Sequence, residues 1–413
     1  MKKGQAIVTM QKIYALLIGL AFLSSCSTEE TDADENGSTY APPLEVNQDK
    51  SDLDNRIEYF DEPLNLTGKR SSASVTLTKK AEVLPAVVDG YTLSATGVDT
   101  RVKGNTARTF VSFHTRGEEY GGEILIMDVA NPSAPVLLQS LIDHDADYND
   151  VTVGQHYVRL WVAGDRSVDA SGYSNTNGAI AAKFWLNSSK TFNTIAKVQE
   201  VPLASYSGNS MTRVQGGNTP CSDGAEAWIT SGSNGELRVL AACEVDQNFP
   251  LHQRMVPNAK HFDYDGDRGV LLRGINSNSC AIDVYDLDSR YAFTTYTLPY
   301  DVTYLGKNGV DVVGKYAYLA LGDDGIVQVD LTDGTVVNSY QHPGSGFANS
   351  LVVTSQSIYI AYGTSGMVVL DKTNFTLEGS YNGGGSCNFI DAHNGYLYIA
   401  NGNTGGFLIV QES

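Results

Sequence analysis

Three carboxylates and an imidazole recur at one place in a repeating pattern. When the short strands that open each repeat are aligned, Asp99, His261, Asp311 and Asp391 each fall three residues after a small polar residue. Paired carboxylates can hold a cation or divide acid and base work between them. The first and last repeats meet if the chain closes into a ring, so Asp99 and Asp391 are expected to approach each other. His261 and Asp311 belong to successive repeats. The remaining repeats carry Thr152, Thr212 and Val352 there, which suits a water-filled polar channel equally well. The residues just before the strands are Asn149, Asn209, Asn258, Asn308, Asn349 and Asn388, with Thr96 in the first repeat. Asn before a strand bonds its own local backbone in Asx turns. A ring of them would also make a collar for a ligand or for ordered water.

Other chemistry is more weakly written. Asp143-His-Asp-Ala-Asp-Tyr-Asn-Asp150 spaces oxygens like a calcium loop, but it lacks the glycine at position six and has Gly154 at position twelve. Asp263-Tyr-Asp-Gly-Asp267 ends on Gly274 in the same way. Both are expected to be solvated turns. His144, His252 and His342 sit in alternate loops, too far apart to share a metal, and the metal content is left open. Ser222-Asp223-Gly224 ahead of Trp228 is a single misplaced echo of a sialidase Asp-box. A nucleophile elbow, a zinc-protease helix and a phosphate loop are all missing. No cofactor and no catalytic residue is therefore assigned.

The five cysteines divide by context. Lys2, Lys3 and Lys12 precede an apolar run from Ile13 to Leu23, which is too short to span a bilayer and fits a signal segment. It ends in Leu23-Ser24-Ser25-Cys26, which resembles a bacterial lipobox, so Cys26 is the expected lipid carrier. Residues 1–25 are read as a signal peptide and 26–55 as an acidic disordered tether, since the first part has nothing to bury. An exported chain can oxidise its remaining thiols. If residues 230 and 235 pair in a hairpin, Cys221 falls within one residue of register with Cys243. A bridge there would contribute roughly 3 kcal/mol; the alternative is two separate buried thiols. Cys280 and Cys387 belong to distant repeats and are expected to stay reduced.

The elements that must position these residues are strands. A glycine followed by alternating apolar residues recurs at Gly122, Gly178, Gly235, Ser279, Gly325, Gly366 and Gly406, 40 to 57 residues apart. A second strand precedes each copy, as in Lys315-Tyr-Ala-Tyr-Leu-Ala-Leu321 and Gly395-Tyr-Leu-Tyr-Ile-Ala400. Four strands per period, seven times, predict an all-β seven-bladed propeller of four-stranded antiparallel blades over residues 56–413. Blade seven lacks an outer strand at the C-terminal end. Ala73–Val83 alternates as a strand and is expected to supply it, which closes the ring.

The run Gly122-Glu-Ile-Leu-Ile-Met-Asp-Val-Ala-Asn-Pro-Ser-Ala-Pro135 resembles the LVIVD repeat, and Gly309-Val-Asp-Val-Val-Gly-Lys-Tyr-Ala-Tyr-Leu-Ala320 is similar to its first two strands. The resemblance spans about residues 92 to 413 and is strongest in blades one, five, six and seven. It implies a propeller in envelope proteins of bacteria and archaea. It implies no established chemistry, so it transfers no catalytic residue.

Composition bounds the partners. The net charge is −19, and −22 without the three lysines of the leader, which repels a phosphate backbone and argues against nucleic acid. Charged residues are 18%, Gly numbers 41 and Tyr 23, a balance that favours strands and turns. The expectation is a lipid-anchored outer-membrane protein, at the cell surface or on the periplasmic face. It would bind protein or glycan through the channel mouth without catalysis. The alternative is a surface glycan lyase or hydrolase that uses the mouth carboxylates.

Overall fold

The computed structural model describes residues 44–68, 75–117, 119–154, 159–192, 198–215, 225–241, 250–289, 291–302 and 307–413. Cys26, Cys221 and Cys243 lie outside the described residues. Seven antiparallel sheets of four or five strands follow one another along the chain. Their innermost strands are Ser94–Lys103, Ala146–Val153, Gly208–Val214, Ala259–Asp265, Val310–Val313, Ser350–Val353 and Phe389–His393. The predicted seven-bladed propeller is the observed fold.

Each blade packs both of its faces, so its middle strands are apolar on both sides. Ile124 to Met127 are consecutive and all fully buried. Side chains alternate between faces along a strand, so neighbouring residues enter different seams. Ile124 and Ile126 pack with blade two, while Leu125 and Met127 pack with blade seven. Seven such clusters join each blade to the next, including seven to one. The recurrent glycine has a local cause in blades five to seven. Gly325 and Gly366 have φ of 80° and 79°, and a Cβ on either would meet a carbonyl of the neighbouring outer strand, Tyr340 or Tyr381.

Leu77–Val83 pairs with Phe407–Glu412 and completes blade seven, as expected. Ile57–Pro63 then adds a fifth strand outside it. Residues 44–55, which composition assigned to the tether, are ordered. Leu44–Asn47 pairs with Val136–Asp143 at the rim of blade one, and a short helix, Lys50–Asp54, follows. The signal there is local: Asp49 caps the helix and Leu53 is buried. The strap is fastened by Arg56, which forms a two-pronged ion pair with the fully buried Glu123 at 2.5 and 2.9 Å.

The hairpin of blade three departs from its expected register. Thr230 pairs with Leu237, two residues beyond the assumed partner, because the turn is wider. The register that aligned Cys221 with Cys243 is therefore not the one adopted. Cys280 and Cys387 are free and buried, as expected.

Candidate functional site

The innermost strands bring the predicted residues to the central channel, where they join blade to blade in three tiers. The upper tier is the collar. Thr96 Oγ1 donates to the Tyr148 carbonyl at 2.7 Å, Asn149 Nδ2 to Gly208 at 3.0 Å and Asn209 to Ala259 at 2.6 Å. Asn349 donates to Cys387 at 3.0 Å and Asn388 to Ala95 at 2.7 Å. Each amide or hydroxyl thus reaches the next blade, beyond its own turn. Asn308 differs: its φ is 56°, its amide turns back to Ala320 of its own blade, and its Oδ1 is buried without a partner.

The third tier is the carboxylate ring. Asp99 accepts the Val153 N–H at 2.7 Å, Asp311 that of Val353 at 2.6 Å and Asp391 that of Thr100 at 2.8 Å. Asp263 accepts the Val312 N–H at 2.8 Å. The donor is always the residue after the ring position of the next blade, which establishes the alignment. In blade four the ring residue is therefore Asp263, not His261, and the collar residue is Lys260, not Asn258. Lys260 sits at the same bulge as Thr96, Asn149 and Asn209. The alignment slipped because a lysine replaces the usual Asn or Thr there and Asn258 lies two residues earlier. His261 belongs to the middle tier, where its Nδ1 accepts the Val310 N–H at 3.3 Å. Asp150 does the same for Met211 at 2.9 Å, and Ser210 for Phe262 at 3.3 Å.

Asp99 and Asp391 lie on either side of the seam between blades one and seven, and Asp99 raises the cost of charging Asp391. Arg101 already sits between them, with Nε 2.9 Å from Asp99 Oδ1, and it feels both carboxylates. Among the described residues no group of three or more His, Cys, Asp or Glu is arranged to hold a metal ion. Burial, then Asp99, pushes the Asp391 carboxyl up to about 6. Burial, then Asp263, raises Asp311 strongly. Of the two expected solvated turns, residues 265–267 are exposed at a turn, whereas 143–150 is largely buried. Asp143 is fully buried against Arg166 and the Tyr148 hydroxyl, and Asp265 accepts the Gly314 N–H. His144 bonds Asp89, His252 stacks on Tyr291 and His342 lies against Tyr362, three separate places.

The collar opens into a shallow depression on the interblade face, whose enclosed space is about 10 Å³, room for roughly one water-sized group. Asn149, Asp150, Asn209 and His261 line one side, and Asn349, Ser350 and Phe389 the other. Lys307 crosses it from blade five, and its Nζ donates to the carbonyls of Thr96 at 2.8 Å and Asn149 at 2.7 Å. Burial pulls this ammonium down to about 8, partly offset by the Asp150 carboxylate, which burial in turn pushes up to about 6. Burial and the Lys307 charge hold His261 near 4 and His114 near 3, so both rings are neutral.

Sequence reasoning missed Lys307 and Asp150. A signal for Lys307 exists once blade four is realigned. The residues just before the collar read Ala95, Tyr148, Gly208, Ala259, Lys307, Ala348 and Cys387, and one of the seven is charged.

A family model described as the LVIVD repeat matches residues 120–143 and 308–338, in blades one and five. Two segments of the chain match the LVIVD repeat. They lie in two of the four blades, one, five, six and seven, in which the sequence resemblance is strongest. No curated protein matches the chain. Among solved structures, the chain is similar to the WD40 propeller domain of Doa1. Identity is 13%, the TM-score is 0.51, and the match covers 80% of this chain and 96% of that one. It is also similar to Saccharomyces cerevisiae Sqt1, at 8% identity and a TM-score of 0.53, over 79% of this chain and 98% of that one. At these identities the likeness shows the fold alone.

Proposed function

We propose that this LVIVD-repeat propeller is a non-catalytic binding module that takes a protein or glycan ligand at the interblade mouth. Lipid on Cys26 would hold it at the outer membrane, at the surface or on the periplasmic face. One observation carries the reading: a single depression receives side chains from six blades, including the Lys307 ammonium. Rigid scaffolds that converge polar groups on one concavity are the usual setting of ligand sites. The enzyme alternative draws less support, because the carboxylates it would use each hold the backbone of the next blade. Asp99 and Asp391 spend both oxygens inside the fold, and Asp311 spends one.

Two measurements test the reading. Full-length protein and its Lys307→Met variant are screened against peptide and glycan panels. Binders lost in the variant support the mouth, and binders retained unchanged overturn it. Separately, Cys26→Ser is expected to abolish acyl labelling and release the protein from membranes; labelling that persists refutes the anchor.

A further inference from the structure

The mouth has an imbalance of donors over acceptors. Most of its side-chain acceptors are engaged: Asp150 Oδ1 and Oδ2 take the N–H groups of Val151 and Met211, and Asn349 Oδ1 takes that of Lys307. The carbonyls of Thr96 and Asn149 take Lys307 Nζ. The donors are not all engaged. An ammonium has three protons, and Lys307 uses two on those carbonyls. His261 accepts at Nδ1, so its neutral ring carries the proton on Nε2. Ser350 is 2% exposed, lines the depression, and its Oγ has no partner. A buried hydroxyl left unpaired costs free energy, and a ligand acceptor would recover it.

We infer that the mouth takes the free carboxylate at the end of a peptide chain, entering end-on, with Lys307, His261 and Ser350 as its donors and Phe389 beside the terminal side chain. This rests on the reading of the mouth as the binding site. A carboxylate is an acceptor-only group, the complement of three unspent donors. Lys307 is the one cation among the lining residues, which matches a monoanion better than a phosphate dianion. Six blades ring the depression, so a chain end can enter along the axis. An acidic sugar within a glycan would have to lay its neighbours across the rim. Phe389, whose ring lies 6.2 Å from that of His261, supplies an apolar wall for a last side chain. Asn209 spends its amide on Ala259 and keeps Oδ1 for the ligand's main-chain N–H.

The test is calorimetric titration of the full-length protein with the tripeptide Ala-Ala-Leu as free acid, with its C-terminal amide, and with D-glucuronate. The free acid is expected to bind, and the amide to bind about tenfold more weakly or worse. Lys307→Met should abolish binding of the acid. Ser350→Ala removes a hydroxyl with no partner in the fold, so it should melt like the parent and still weaken the acid several-fold. Equal binding of acid and amide overturns the inference but leaves the mouth as the site if Lys307→Met weakens both. Glucuronate binding without the peptide acid overturns it in favour of an acidic sugar at the same place. Binding of none of the three overturns it, as does acid binding that ignores both variants; the peptide and glycan screen then decides separately whether the mouth is a site.

Discussion

At the scale of single residues, the carboxylates of the channel act as staples between blades, and that role sets how they respond to substitution. Asp311 holds the Val353 N–H at 2.6 Å while burial and Asp263 resist its charge. Asp311→Ala leaves that donor unpaired and should cost about 1–3 kcal/mol in chemical denaturation. Asp311→Asn keeps an acceptor and sheds the charge, so at pH 8 it should be at least as stable as the parent. Asp391 gives the pH dependence. Its folded carboxyl is raised to about 6, so the stability it contributes is complete below the ordinary value of 3.8 and is lost as pH rises through 6. The melting temperature of Asp391→Asn relative to the parent should therefore climb between pH 4 and 6 and level off above. A flat difference across that range would show that Asp391 is not desolvated.

At the scale of elements, the strap over residues 44–63 joins two rims that the blades themselves leave open. Its strands extend blade one and blade seven, and its Arg56 neutralises Glu123, a carboxylate with no exposed surface. Removing one partner of a buried pair is expensive because the other charge stays behind. Arg56→Ala should destabilise by about 3 kcal/mol in urea. Arg56→Ala combined with Glu123→Gln should recover most of that loss. If the single variant unfolds like the parent, Ser140, whose hydroxyl donates to Glu123 at 2.6 Å, suffices alone.

At the scale of the molecule, closure couples all seven seams. Leu77–Val83 lies between Phe407–Glu412 and Ile57–Pro63, and its Ala81 and Val83 belong to the seam with blade one. Deleting residues 75–83 removes that seam's contribution and also unmoors the strap. The melting temperature should fall by roughly 10 °C or more, since each kcal/mol is worth about 2–4 °C in a domain of 150–250 residues. A deletion of 44–47 alone removes one rim strand and should cost far less. Equal losses in the two truncations would contradict the closure role of the 77–83 strand.

The sequence by itself determined the blades, their number and the closing strand. Strand alternation, the glycine turns and the repeat period are local properties, and local rules read them correctly even where identity to solved propellers is as low as 8%. The collar and ring were legible in six blades because Asn or Thr and the residue three places on keep constant spacing along one strand. Blade four was misread because Lys260 stands where the other blades have Asn or Thr, so Asn258, two residues earlier, took its place in the alignment; only the partner across the seam shows which residue is at the collar. The role of the carboxylates was also decided by the tertiary structure. Whether Asp311 holds a cation or the Val353 N–H depends on a backbone about 40 residues away that only ring closure brings within reach. Lys307 is the extreme case. Its acceptors, Thr96 and Asn149, belong to blades one and two, and a side chain crosses a channel only after seven sheets have built the channel around it.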